Sequence, residues 1–180
     1  MLSKTKKTLT ITAFVSTVCW LAAGTIYVGG LKWDLSATDI ALPPLTLQPL
    51  YDTQFATADK LKGQPFLINF WASWCVTCQA ENEMLKSIRA EGVPLVGIAL
   101  KDTASAARDW LDTFGSPFSL HLQDPEGHYA DLLGVQGAPE TFVIDGHGNI
   151  RYHYQGLIQK TVWENRIKPL LRSLTPTHGE

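Results

Sequence analysis

Cysteine is scarce in this chain: three among 180 residues, too few for a scaffold stapled by disulfides. Excess charge is missing too. Fifteen basic side chains against seventeen acidic ones leave a net charge of −2, which offers nucleic acid no basic face and excludes it as a partner. The five histidines, at 121, 128, 147, 153 and 178, have no metal-ligand spacing. There is no internal repeat and no low-complexity tract. A composition that is 45% hydrophobic and 18% charged fits one globular domain with an additional segment.

The additional segment comes first. Lys4, Lys6 and Lys7 precede a run of 24 residues, 8–31, without a charge. As a helix it would be about 36 Å long, enough for a hydrocarbon core of roughly 30 Å. The lysines keep their end in the cytoplasm, so the remainder lies outside, in an oxidising compartment. A cleaved signal peptide is the rival reading, with Ala22-Ala23-Gly24 as its processing site. Its apolar region is typically about 7–15 residues, and this run continues through Ile26, Tyr27 and Val28. The expectation is therefore a cytoplasmic terminus at 1–7, one transmembrane helix at 8–31, a linker at 32–50, a domain at 51–174 and a tail at 175–180. Cys19 falls in the apolar run as a small hydrophobe.

Residues 66–81 read Phe-Leu-Ile-Asn-Phe-Trp-Ala-Ser-Trp-Cys-Val-Thr-Cys-Gln-Ala-Glu. An apolar run with the length of a buried strand leads into C-x-x-C and then a helical pattern. Cys75 and Cys78 thus fall on a helix's first turn, where unpaired N–H groups and the macrodipole favour an anion. The pKa of Cys75, read as the more exposed thiol, should fall. Cys78, three residues on, can resolve a mixed disulfide that Cys75 forms. A zinc site needs about four ligands, and the only further cysteine is Cys19. A C-x-x-C loop is also too short to be an effective structural staple.

The stretch 36–49 holds Pro43, Pro44 and Pro49 and reads as extended spacer, with a short edge strand near 45–47. After the first helix, with Met84, Leu85 and Ile88 on its apolar face, Gly92 and Pro94 close it. Residues 93–100 read as a second buried parallel strand. A helix follows, capped by Asp102 or Thr103, with Ala107, Trp110, Leu111 and Phe114 inward. Then come a strand at 118–122, a short helix at 128–133, a hairpin of 141–144 with 150–154, and a helix at 161–174 with a kink at Pro169. Alternating elements followed by a hairpin predict an α/β fold: a mixed sheet with helices on both faces.

The second informative stretch is Gly134-Val-Gln-Gly-Ala-Pro-Glu-Thr-Phe-Val-Ile-Asp145. Pro139 directly precedes a strand. A cis bond would bare the Ala138 backbone to a strand-like peptide, whereas a trans proline would merely end a loop. The residues alone leave both open.

Together, Trp71-Ala-Ser-Trp-Cys75-x-x-Cys78 and the Gly-Val-x-Gly-x-Pro-Glu-Thr-Phe stretch resemble the thioredoxin superfamily over about residues 40–174. More narrowly, they resemble its membrane-anchored thiol:disulfide interchange proteins of cytochrome c maturation, the DsbE/CcmG group. The resemblance implies a thioredoxin fold with cis-Pro139 facing the cysteines. It implies a specific reductant on the periplasmic side of the inner membrane, using no cofactor beyond the Cys75–Cys78 pair. A transmembrane donor of the DsbD or CcdA type would reduce it. It would in turn reduce apocytochrome c, or a haem-lyase component, before haem attachment. Glu81 and Glu140 match acidic positions of that group, and are expected to converge on the disulfide, limit the fall of the Cys75 pKa and activate Cys78. Trp74 is expected to shield the disulfide or pack the turn. Val76 departs from the proline commoner between these cysteines. A general exported reductant of the TlpA/ResA type shares both motifs, and a non-catalytic peptide-binding module would share the fold.

Overall fold

The computed structural model describes residues 19–21, 25–28, 31–34, 40–51, 61 and 63–175. The chain divides into two units, Met1–Thr38 and Asp39–Glu180. In the first, β1 (Cys19–Leu21), β2 (Thr25–Val28) and β3 (Leu31–Asp34) pair antiparallel in that order. The helix expected over 8–31 is not seen: residues 8–18 lie outside the described residues, and the described parts of the run are strands. Among the described residues no helix is long and apolar enough to cross a membrane. The absence of charge suggested a helix, but Thr25-Ile26-Tyr27-Val28 is β-branched and aromatic, the composition that favours strand pairing.

The second unit holds a seven-stranded sheet. Its strands are β4 (Ile40–Ala41), β5 (Gln48–Pro49), β6 (Phe66–Trp71), β7 (Leu95–Leu100), β8 (Leu120–Asp124), β9 (Glu140–Ile144) and β10 (Asn149–Gln155), in the order β4-β10-β9-β6-β7-β8-β5. Strands β6, β7 and β8 run parallel, and every residue of β6 and β7 is buried, as befits strands covered on both faces. The other pairings are antiparallel. Gly97 sits mid-strand because the Phe118 ring occupies the place of a Cβ, a close approach that only glycine permits.

Helices α1 (Val76–Ala90) and α2 (Ala104–Phe114) cross from β6 to β7 and from β7 to β8. Two successive right-handed crossovers in one direction put both helices on one face. There Leu85, Ile88, Trp110 and Leu111 pack with Leu67, Trp71, Leu95 and Val143. The other face carries Phe66, Ile68, Phe70, Ile98 and Phe142, covered by Tyr129 and Ala130 of α3 (His128–Leu133).

The closing helix returns to the first face through Trp163, Ile167 and Leu171. It consists of α4 (Lys160–Val162), a π-helical turn at Trp163–Ile167 and α5 (Lys168–Leu174). Pro169 is the cause of the widened turn. It has no N–H to donate, and its ring crowds the carbonyl of Asn165, so the Lys168 N–H reaches back to Trp163 O instead. A wide turn stands just before Pro169, where the sequence predicted a kink.

The stretch read as linker, 32–50, belongs to the fold from Asp39 onward. Leu42, Leu45 and Leu47 pack on the second face, and the Tyr129 hydroxyl donates to Pro43 O at 2.7 Å. The edge strand expected at 45–47 lies at Gln48–Pro49. Proline density forbade helix there, but it did not forbid an extended chain with leucines facing inward.

Candidate active site at the amino terminus of α1

Cys75 and Cys78 are joined in a disulfide. Cys75 is the N-cap of α1, one position before the first turn where the sequence placed it, and its Sγ accepts the Cys78 N–H at 3.0 Å. One orphan amide of the helix terminus therefore points at this sulfur, an arrangement that favours a thiolate there once the disulfide opens. Exposure does not separate the two cysteines, at 5% for Cys75 and 3% for Cys78; helix position does. The Ala138–Pro139 bond is cis, and Ala138 O lies 3.4 Å from Cys75 Sγ, within reach of a thiol proton in the reduced form.

The turn is clamped from the neighbouring strand. Asp102 accepts from the Ser73 N–H at 2.6 Å, the Ser73 hydroxyl at 2.9 Å and the Thr103 N–H at 2.8 Å. Thr103, not Asp102, caps α2 by accepting from the Ala106 N–H. The Trp74 indole donates to Lys101 O at 3.1 Å. Trp74 is 55% exposed and Val76 82%, so an apolar surface stands beside the sulfurs.

Glu81 lies under α1, one turn beyond Cys78, and is 1% exposed. It accepts the Ile158 N–H at 2.9 Å. Burial pushes its carboxyl up to about 7, against the opposing pull of that amide and of the Asn69 side chain.

Glu140 departs from expectation. It alternates with Thr141 along β9, so its side chain points to the opposite face of the sheet from the one that α1 covers. Its Oε1 accepts from the Gln136 and Gly137 N–H groups at 2.8 and 3.0 Å, and its Oε2 pairs with His153 Nε2 at 2.6 Å. The two glutamates do not converge on the disulfide: Glu140 braces the loop before Pro139. The reading of the sequence missed His153, which stacks on Phe142 with ring centroids 4.0 Å apart. Hairpin register carried the signal, since 153 pairs with 142 across β9 and β10.

Thr77, Gln136–Glu140 and Gln155–Gly156 line an open cleft of about 450 Å³. Its backbone is of the kind an extended peptide can pair with. Among the described residues no three or more metal-ligating side chains cluster.

The Redoxin family profile matches residues 37–167. The thiol:disulfide interchange protein DsbE of Escherichia coli K12 is 48% identical over 118 residues, 65% of this chain and 64% of its own length, just under two thirds. DsbE of Pasteurella multocida is 41% identical over 74% of each chain. DsbE of Haemophilus influenzae is 38% identical over 79% of this chain and 82% of its own. Among solved structures, Mycobacterium tuberculosis DsbF in mixed oxidised and reduced forms superposes at a TM-score of 0.56, with 27% identity over 66% of this chain and 87% of its own. A secreted thiol-disulfide isomerase from Corynebacterium glutamicum reaches 0.63 at 19% identity over 93% and 98%, a likeness of fold alone.

Proposed function

The chain belongs to the redoxin family, and from that premise we propose that it is a thiol:disulfide oxidoreductase that reduces protein disulfides through Cys75 and Cys78. In the dithiol form the Cys75 thiolate attacks one sulfur of a substrate disulfide. A mixed disulfide forms, and the departing substrate sulfur takes up a proton. Cys78 then loses its proton and attacks Cys75 Sγ, releasing the second substrate thiol. Two electrons pass to the substrate, and the protein is left with the Cys75–Cys78 disulfide of this structure. The electrons travel on sulfur, so no cofactor is required.

The observation that carries this reading is the Cys78 N–H directed at Cys75 Sγ, a helix-terminus stabilisation of the attacking thiolate. The Ala138 carbonyl and the cleft beside it supply a docking strand for the substrate backbone.

Relatives at 38–48% identity named DsbE, and the two motifs, support the narrower assignment. The domain works on the periplasmic side of the inner membrane, held there by the uncharged run 8–31. A DsbD- or CcdA-type donor reduces it, and its substrate is apocytochrome c or a haem-lyase component.

Cys78→Ala is the test. The variant should accumulate a mixed disulfide through Cys75 in the membrane fraction, with an apocytochrome or haem-lyase component attached. A different trapped protein would indicate a general exported reductant. An empty trap would favour a peptide-binding module.

A further inference from the structure

Asn69 of β6 and Thr141 of β9 face each other directly across the sheet, both fully buried. They lie on the face that α1 covers, in line with Leu67, Trp71 and Val143. Asn69 Nδ2 donates to Thr141 Oγ1 at 3.0 Å, and the Asn69 side chain also acts on the Glu81 carboxyl above it. Two buried side-chain oxygens among the described residues have no hydrogen-bond partner: Asn69 Oδ1 and Glu81 Oε2. A buried acceptor left unpaired is costly, and two acceptors side by side repel.

One proton removes both defects. Carried on Glu81 Oε2, it is donated to Asn69 Oδ1, while Nδ2 stays on Thr141. If that proton leaves, the same orientation sets a carboxylate against an amide oxygen. A half-turn of the amide restores every bond. Nδ2 then donates to Glu81 Oε2, and the Thr141 hydroxyl, which can donate as well as accept, donates to Oδ1.

We propose that Asn69 and Thr141 form a two-position amide switch that turns with the proton on Glu81. The inference rests on the oxidoreductase reading, in which Cys78, one turn before Glu81, must give up a proton when it resolves the mixed disulfide. Asn69 is a positioning residue here: it offers the carboxyl an acceptor before proton loss and a donor after it. Both protonation states stay accessible near neutral pH in a site that burial would otherwise lock as the acid. Few other groups face this carboxyl. Cys78 lies on its own helix, the uncharged Asn69 and Thr141 on the sheet, and the Ile158 N–H on the segment before α4; among the described residues no charged side chain contributes to its shift. Glu140 and His153 occupy the other face.

The test is side-chain NMR on the oxidised full-length chain in detergent, with ¹⁵N-asparagine and ¹³C-glutamate labels. The Asn69 amide protons and the Glu81 carboxyl carbon should move through one shared midpoint, and in Glu81→Gln the Asn69 signals should cease to titrate. Asn69→Leu should raise the Glu81 midpoint by about one unit, a tenfold tighter proton, and should slow resolution of a preformed mixed disulfide severalfold at pH 7. Asn69 signals that stay flat through the Glu81 titration overturn the switch, as does an unmoved midpoint in Asn69→Leu. A shared midpoint in a protein whose Cys78→Ala form traps nothing would keep the switch and overturn the catalytic reading alone.

Discussion

Glu81 is one side chain through which pH acts on this protein. Its carboxyl is pushed up to about 7 in the fold, against an ordinary value of 4.5. Between those values the folded state binds more protons than the unfolded chain, so stability falls as pH rises across that window and levels off above it. The shift corresponds to about 3 kcal/mol. Urea midpoints of the oxidised protein from pH 4 to 8 should show this decline. Glu81→Gln should abolish it, because Oε1 can still accept from Ile158 while Nε2 donates to Asn69. A wild-type profile that is flat or rising would contradict the assignment. Sequence placed Glu81 correctly, one helical turn beyond the second cysteine. It did not reveal Asn69, which hides in an apolar run as one more strand residue and acquires its role only from a neighbour 12 residues away. Nor did it separate Glu140 from Glu81, because side-chain alternation along β9, rather than proximity in the motif, decides which face each carboxylate meets.

At the scale of elements, the active-site turn between β6 and α1 is held by the turn between β7 and α2. Asp102 carries that junction with two bonds accepted from Ser73, and a third from the Thr103 N–H fixes the carboxylate in its own turn. Asp102→Ala would leave the Ser73 N–H and hydroxyl and the Thr103 N–H without their partner, and should destabilise the domain by about 2–3 kcal/mol. Asp102→Asn, which keeps one acceptor oxygen, should cost less. Chemical denaturation of both variants checks this, and equal losses would show that a neutral acceptor oxygen replaces none of the carboxylate's contribution. The helices and central strands were readable because 3.6-residue periodicity and uniform apolar runs signal them locally. The contact between the two turns was not: it joins residues 29 apart, and Asp102 next to Thr103 looked like a helix cap.

For the whole molecule, the misread boundary matters most. The sequence began the domain at 51, because prolines and sparse charge resemble a tether. The structure instead runs Ile40–Pro49 from one margin of the sheet to the other, β4 pairing with β10 and β5 with β8. The packing of Leu42, Leu45 and Leu47 is a tertiary fact that no local pattern announced. A single strap thus pairs with part of both β10 and β8 and leaves two-residue strands at the margins, short edges on which other chains find little backbone to pair with. A recombinant fragment starting at residue 51 should therefore self-associate, while one starting at 39 should elute as a monomer in size-exclusion chromatography. Two monomeric fragments would mean that the strap is dispensable. A load applied to the chain at Ile40 would enter the sheet at its β4 hem, so unravelling would begin at a border and not in the buried centre.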